Sequence, residues 1–231
     1  MQIVVNHLTR MQAGFICVAG VDFDARTHVR PTLGGARLTA NMWGQLGGPF
    51  DVASLVDLGP TRPEGSPPEV EDQRFEPRSV TRVRDLEQDE FWRLLSEMAR
   101  PRLKDIFGDA LRGQGRTCAV DEGEGIASLG CLLPHRASLL VDPYGTIRLS
   151  LADGEFYVSL PVTDLRLYER DFRTPRRDVI ENLARRISRG TPVILAIGLA
   201  RPWKRPGDDV PRHWAQVNNL YLEDDPTWRG A

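Results

Sequence analysis

Apolar residues recur along this chain in short runs bounded by Gly, Pro, Asp or Asn, the pattern of strands rather than of long helices. Runs at 2–8 (QIVVNHL), 14–22 (GFICVAGVD), 28–31 (HVRP) and 50–58 (FDVASLVDL) predict four strands, and the polar, Pro-rich 59–68 (GPTRPEGSPP) predicts a surface loop. Helical spacing begins after Asp89, an N-cap candidate, where Phe91, Trp92, Leu94, Leu95 and Met98 form one stripe. Pro101 interrupts it, and Leu103, Ile106 and Phe107 carry it on as a short piece as far as Gly108. Residues 108–130 are Gly-rich with few large apolar side chains and read as the connection between two halves.

Beyond that stretch the alternation is sharper. Strands are predicted at 137–141, 146–151, 155–160 and 165–168, with Asp153-Gly154 as a hairpin signal. A two-residue loop there pairs Ser150 with Tyr157 and Leu151 with Phe156. Ile147, Leu149, Leu151, Phe156, Val158 and Leu160 then face inward. Thr146, Arg148, Ser150, Tyr157 and Ser159 face outward, Arg148 lies diagonal to Tyr157, and Arg166 and Tyr168 extend that outer face. A helix follows at 175–189, with Thr174 as N-cap, Pro175 at the first position, a stripe of Val179, Ile180, Leu183, Ala184 and Ile187, and Gly190 just past its end. Strands at 192–200 and 213–223 complete the pattern.

Three or four strands, a helix and two more strands is the order of an OB-fold, a small Greek-key barrel. The first half fits that order less closely. The expected fold class is therefore mainly β with a few helices (α+β), as two OB-fold-like small barrels packed in one compact unit. Residues 1–116 form the first half with its C-terminal helix, and 117–231 the second with the helix 175–189. A short echo links the halves: VVNHLTR (4–10) resembles LAIGLAR (195–201), and ICVAGVDFD (16–24) resembles AQVNNLYLED (215–224).

Composition narrows the class further. With 231 residues, 41% hydrophobic and 27% charged, the chain has the make-up of a soluble globular protein. No apolar run approaches the ~20 residues of a membrane span, and MQIVVNHLTRM has no signal-peptide pattern, so a cytoplasmic location is expected. Cys17, Cys118 and Cys131 are odd in number and lack a CxxC spacing, which argues against a disulfide framework. Net charge is −2, unevenly spread: residues 51–90 hold 11 acids and 5 bases, residues 164–212 hold 7 acids and 12 bases. A phosphate-bearing partner is expected at the second region.

Arg and aromatic side chains interleaved on an outer sheet supply cations for phosphates and π faces for bases, the needs of single-stranded nucleic acid. A plain solvated sheet face is the competing reading of Arg148, Tyr157 and Arg166. The segment Arg201-Pro202-Trp203-Lys204-Arg205, with Arg212, His213 and Trp214 returning, is the densest mixture of cations and indoles, and its competing reading is a lid packing Trp203 on the barrel end. The arginines along 166–189 offer a phosphate-binding rim, but on the helix Arg185, Arg186 and Arg189 fall opposite or beside the apolar stripe, which favours a solvated face, Arg189 complementing the helix dipole. Cys118, Cys131 and His135 lack a fourth zinc ligand, and Gly108-xxxx-Gly113 is followed by Gln114 and Gly115 where a phosphate loop needs Lys and Ser or Thr. Glu69, Glu71 and Asp72 have no nuclease-type Lys beside them. Catalytic residues, metal and cofactor are therefore expected to be none.

The pieces VNHLTRM (5–11), ICVAGVD (16–22), HVRP (28–31), PPEVED (67–72), IASLG (126–130), AIGLARPW (196–203) and HWAQVNNLY (213–221) together resemble the bacterial dual OB-containing domain family across nearly the whole chain. The resemblance implies two OB barrels in one unit, encoded beside antiviral or other conflict systems, with nucleic acid as the inferred ligand. Matching residues include His7, Thr9, Arg10, Arg30, Pro31, Arg201, Pro202, Trp203 and the strand 214–221. The expected function is a non-enzymatic nucleic-acid-binding or sensing module of a bacterial defence system, single strands favoured, with protein components of the same system as further partners and no membrane. Its contact residues are Arg10, Arg30, Arg148, Tyr157, Arg166, Arg201, Trp203, Lys204 and Arg205. A protein-interaction or small-ligand-sensing module, and a metal-dependent hydrolase built on Glu69 to Asp72, are the alternatives.

Overall fold

The computed structural model describes residues 1–228. In chain order the first sheet is built from β1 (Gln2–Arg10), β2 (Phe15–Asp22), β3 (His28–Thr32), β4 (Leu38–Thr39), β5 (Ser54–Asp57), β6 (Arg62–Pro63), β7 (Asp72–Arg74) and β8 (Thr81–Asp85). Its strands lie in the order β6-β7-β3-β2-β1-β5-β8, with β4 against β2. Helix α1 (Gln88–Met98), β9 (Ala99–Arg100) and α2 (Leu103–Phe107) follow. Then come β10 (Arg112–Gln114), β11 (Thr117–Asp121), β12 (Leu129–Leu132), β13 (Arg136–Val141), β14 (Ile147–Ala152), β15 (Tyr157–Pro161), α3 (Arg177–Ser188), β16 (Val193–Leu199) and β17 (Arg212–Leu222). A second sheet runs β10-β11-β17-β16-β12-β9, and a third β13-β14-β15. The chain is mainly β with three α-helices, α+β, its curled sheets forming small barrel-like units, as the periodicity predicts. No helix among the described residues is long and apolar enough to cross a membrane.

Two hydrophobic clusters fill the interior. The first gathers Val4, Leu8, Val18, Phe50, Val56, Phe91 and Leu95 from the first sheet and α1, together with Cys131, Leu165, Ile194, Ala196 and Tyr221 from later in the chain. The second joins α2, β11, β13 to β17 and α3 through Leu103, Phe107, Val120, Leu149, Leu160, Leu183 and Leu195. Helix α1 buries Phe91, Leu94 and Leu95, and α3 buries Ile180, Leu183 and Ile187, which is the i, i+3, i+4 stripe each sequence displays.

Several expectations require correction. Helix α1 begins at Gln88, so Asp89 lies in the first turn, where its charge favours the dipole, rather than at the N-cap. Helix α3 begins at Arg177, two residues later than expected. Thr174 does not cap it, because its backbone N–H and hydroxyl donate to Asp171 in a preceding turn. Gly190 does close the helix, at φ 93°. The hairpin loop is four residues rather than two: Ala152 opposes Tyr157 and Leu151 opposes Val158. Arg148 consequently faces Pro161, and its guanidinium is bonded to Ser159, far from Tyr157 along the strand.

Residues 165–168 are not a strand. Asp164 accepts from the Arg166 backbone N–H at 3.1 Å and starts a single turn over Leu165–Leu167, all three of whose residues are buried. An Asx cap overrode the alternation. Residues 108–130 likewise are no mere connection, since they supply β10, β11 and the first half of β12. These strands are too short to show a period, and Gly130 in β12 lies so close to Ile106 that a Cβ would stand 2.3 Å from its Cγ2.

Arg166, expected on the outer face, is buried in the second core. Its side chain donates to Asp164 Oδ1 and Oδ2 at 3.0 and 2.7 Å and to the Leu220 carbonyl at 3.0 Å, and it lies 3.9 Å over the Trp228 ring. Arg166→Met leaves Asp164 as an uncompensated buried charge, so urea denaturation is expected to show a loss of about 3–5 kcal/mol. A change below ~1 kcal/mol contradicts a buried ion pair.

Candidate functional site

A cleft of about 1060 Å³ opens where the first sheet meets the end of β16 and the middle of β17. Five arginines line it, Arg10, Arg30, Arg37, Arg74 and Arg201, against two carboxylates, Glu64 and Asp72. Its walls come from the ends of β1 and β3, the loop 33–37, and residues 199–201, 216 and 218. The loop turns through Gly34 and Gly35, at φ 63° and 99°, and a Cβ on Gly34 would stand 3.0 Å from the Arg74 guanidinium, so the glycine lets that cation lie over the loop.

On the floor, two guanidiniums share two carboxylates. Arg30 Nε donates to Asp72 Oδ1 at 2.5 Å, and Nη2 stands 3.6 Å from Glu69 Oε1. Arg201 reaches the same pair, at 2.6 Å to Glu69 and 2.9 Å to Asp72. Parallel pairing of β3 with β7 places Arg30 beside Asp72, and Arg201 arrives from the end of β16. Glu71, between the two acids, accepts from Ser128 N–H, the Ser128 hydroxyl and Leu129 N–H at 2.8, 2.7 and 3.1 Å. Burial raises its carboxyl above the usual range, partly offset by those bonds. The PPEVED segment is thus a strap of acids holding cations and backbone N–H groups from across the cleft. Among the described residues no cluster of three or more His, Cys, Asp or Glu is placed to hold a metal ion.

Arg10 stacks on Tyr168, 4.1 Å from the ring centroid, and Nη1 donates to the Phe172 carbonyl at 3.2 Å. Tyr168 therefore cradles an arginine inside the fold, instead of facing solvent as expected. At the cleft floor His7 Nδ1 accepts from Asn218 Nδ2 at 3.0 Å, and Asn218 Oδ1 accepts from Gln216 at 2.8 Å. Asn218 fits because position 198 is Gly: a Cβ there would lie 2.3 Å from Asn218 Nδ2. Burial, with His28 and Arg30 nearby, holds His7 well below the usual imidazole range, so its ring is neutral and its proton sits on Nε2. His7 Nε2, Arg10 Nε and Arg30 Nη2 are buried and have no hydrogen-bond partner. Such a group costs about 1–3 kcal/mol when left unpaired. Burial also pushes up the thiol of Cys17 on the cleft wall, which makes it a packing residue and a poor nucleophile.

Of the residues singled out from sequence, the structure brings Arg10, Arg30 and Arg201 into this cleft. Trp203, 57% exposed, and Lys204 project from the adjoining loop 201–211. Arg205 lies 3.1 Å over the ring of Trp214, not of Trp203, so one of the two indoles is covered by its own loop. Arg148 and Tyr157, the latter 74% exposed, lie on the separate β13-β14-β15 sheet. Sequence reading passed over His7, Asn218 and Gln216 as site residues. A signal existed: VNHL (5–8) and VNNL (217–220) match, and in each the asparagine after Val sits in a β-bulge, in β1 at Asn6 and in β17 at Asn218.

His7 meets His28 edge to face at 5.5 Å, and burial holds His28 at about 4. With unfolded values near 6.5, the folded state binds fewer protons than the unfolded one between these limits, so stability is full above pH ~6.5 and falls as pH drops toward 4. His28 alone is expected to lower stability by about 2 kcal/mol between pH 7 and pH 5, with His7 adding in the same direction. Urea midpoints across this interval check it, and His28→Gln is expected to flatten the dependence.

The sequence model of the dual OB-containing domain family matches residues 1–220. No curated protein and no solved structure matches the chain.

Proposed function

This chain belongs to the dual OB-containing domain family, and we propose that it is a non-enzymatic nucleic-acid-binding or sensing module whose cleft between the two cores receives phosphate groups, single strands favoured. The observation that carries this reading is the gathering of five arginines from distant parts of the chain around one opening, three more than the carboxylates that line it. A protein whose net charge is −2 places five of its 30 Lys and Arg around this one opening, a local excess of positive charge that favours an anionic ligand. Arg37 and Arg74 at the rim are exposed, Arg37 lying 5.5 Å over the Phe15 ring, and neither has a carboxylate partner among the described ion pairs. Trp203 and Lys204 stand on the neighbouring loop as a stacking face and a cation. Loops after the fourth strand of such barrels are a common grip for oligonucleotides.

Arg30 and Arg201 neutralise Glu69 and Asp72, so they contribute position more than free charge. Arg166 leaves the contact set because its donors are spent inside the core, and Arg205 because it covers Trp214. Arg148 and Tyr157 lie on another sheet and would serve a longer strand only by wrapping. Binding is favoured over hydrolysis because Glu69, Glu71 and Asp72, the acids a hydrolase would need, are engaged by arginines and backbone N–H groups. A role beside a bacterial defence system, with protein components of that system as partners, follows from the family resemblance.

Fluorescence anisotropy with labelled single-stranded DNA and RNA is expected to give binding that weakens steeply with salt, with a log–log slope of about −0.7 for each phosphate neutralised. Arg37→Ala and Arg74→Ala are each expected to reduce the steepness of that slope by about 0.7. Trp203→Ala is expected to weaken binding by about 1–3 kcal/mol with the melting temperature unchanged. Absence of binding to every oligonucleotide at low salt overturns the reading.

A further inference from the structure

Three of the buried side-chain atoms without a hydrogen-bond partner are N–H donors on residues that line one cleft: His7 Nε2, Arg10 Nε and Arg30 Nη2. Buried donors are paired in folded proteins unless something else supplies the acceptor. His7 is also the end of a directed chain, in which Gln216 donates to Asn218 and Asn218 to His7, so that Nε2–H is presented as the donor left over. Arg30 Nη2 faces Glu69 Oε1 at 3.6 Å, too long for a hydrogen bond, so His7 Nε2 and Arg10 Nε are the donors left to an acceptor from outside the chain.

The rest of the lining limits what the ligand is. Ile16, Leu38, Leu129 and Leu199 give apolar wall for a flat ring. Asp72 is taken up by Arg30 and Arg201, whereas Glu64, which accepts from the Thr32 hydroxyl, leaves an exposed carboxylate that would disfavour a continuous run of phosphates past it. Arg37 and Arg74 hold cations at the exposed rim. The volume, about 1060 Å³, lies just above the range of small-ligand sites, about 300–1,000 Å³.

We propose that this cleft is a discrete pocket for a phosphorylated nucleoside, bound as a free nucleotide or as the phosphorylated end of a single strand, with His7 and Arg10 donating to it from the floor and Arg37 and Arg74 meeting its phosphate at the rim. This rests on the nucleic-acid reading above and specifies what that reading leaves general. His7 is the residue that selects for an acceptor on the base or sugar, while the rim arginines select for the charged group.

Calorimetric titration of the full chain tests it, using the four ribonucleoside 5′-mono- and triphosphates, the matching nucleosides, inorganic phosphate, and a short single-stranded oligonucleotide with either a 5′-phosphate or a 5′-hydroxyl. At least one nucleotide, or the 5′-phosphorylated oligonucleotide, is expected to bind tenfold or more tightly than its nucleoside or 5′-hydroxyl counterpart and than inorganic phosphate. Binding by free nucleotides assigns the first source, and binding by the phosphorylated oligonucleotide alone assigns the second. Arg37→Ala with Arg74→Ala, both exposed, is expected to weaken binding tenfold or more, and His7→Phe to abolish the preference among bases. Should His7→Phe fail to fold, the rim variant carries the test. The pocket is overturned, with the general reading intact, if oligonucleotides bind with no preference for a terminal phosphate and no nucleotide binds, or if the rim variant leaves nucleotide affinity unchanged. Failure of every probe overturns both.

Discussion

The outer edge of β1 from Asn6 to Arg10 must be paired, and how it is paired sets the rest of the molecule. Strand β5 covers β1 only at residues 2–4, and the bulge at Asn6 then turns the remaining polar groups toward the second sheet. No strand continues the ladder there. The Asn219 side chain takes its place: Oδ1 accepts from Leu8 N–H at 2.6 Å and Nδ2 donates to the Leu8 carbonyl at 3.3 Å. Tyr221 Oη–H donates to the Asn6 carbonyl, and Arg10 N–H donates to the Thr163 carbonyl at 2.9 Å. An unpaired buried backbone group is costly, so these bonds fix the approach of β17 to β1. The cleft is the space left where the two strands diverge beyond this crossing.

The same constraint explains why the cleft is polar and yet well ordered. Its floor is made from side chains that each hold another element: Arg30 and Arg201 on the acids of the 69–72 strap, Asn218 on His7, Arg10 on Tyr168. Buried polar networks of this kind add little net stability, because desolvation offsets the attraction, but they are strict about geometry. Here they leave two donors facing the cavity and two arginines at its mouth. The floor is thus held in place by contacts among its own side chains.

The elements that were legible in the sequence are those whose period is long enough to repeat. Helices α1 and α3 read correctly from their stripes, and β1, β2, β13, β14, β16 and β17 from their apolar runs. Strands β10, β11 and β12 did not, because three to five residues carry no period and their pairing partners, β16 and β17 among them, lie far along the chain. The turn at 165–167 was misread because all its side chains are buried, so alternation had no second face to report. In the hairpin the inward set of β14 was right even though the loop was two residues longer than Asp-Gly suggests, since a two-residue shift preserves the side-chain faces.

For the site the division is similar. The sequence alone determined the fold class, the family motifs, and the arginines at 10, 30 and 201 as chemistry worth placing, because Arg10 and Arg201 stand at the ends of apolar strands and Arg30 within a short one, where charge is otherwise unwelcome. Tertiary structure alone decided which cations are free. Arg166 and Arg30 are equivalent to Arg37 and Arg74 as letters, and only burial and the carboxylates facing them separate structural from available charge. His7 reads as one core residue among several until β17 brings Asn218 to its ring. Local sequence specifies the direction in which a strand's side chains point, and contacts between residues two hundred positions apart specify what they meet.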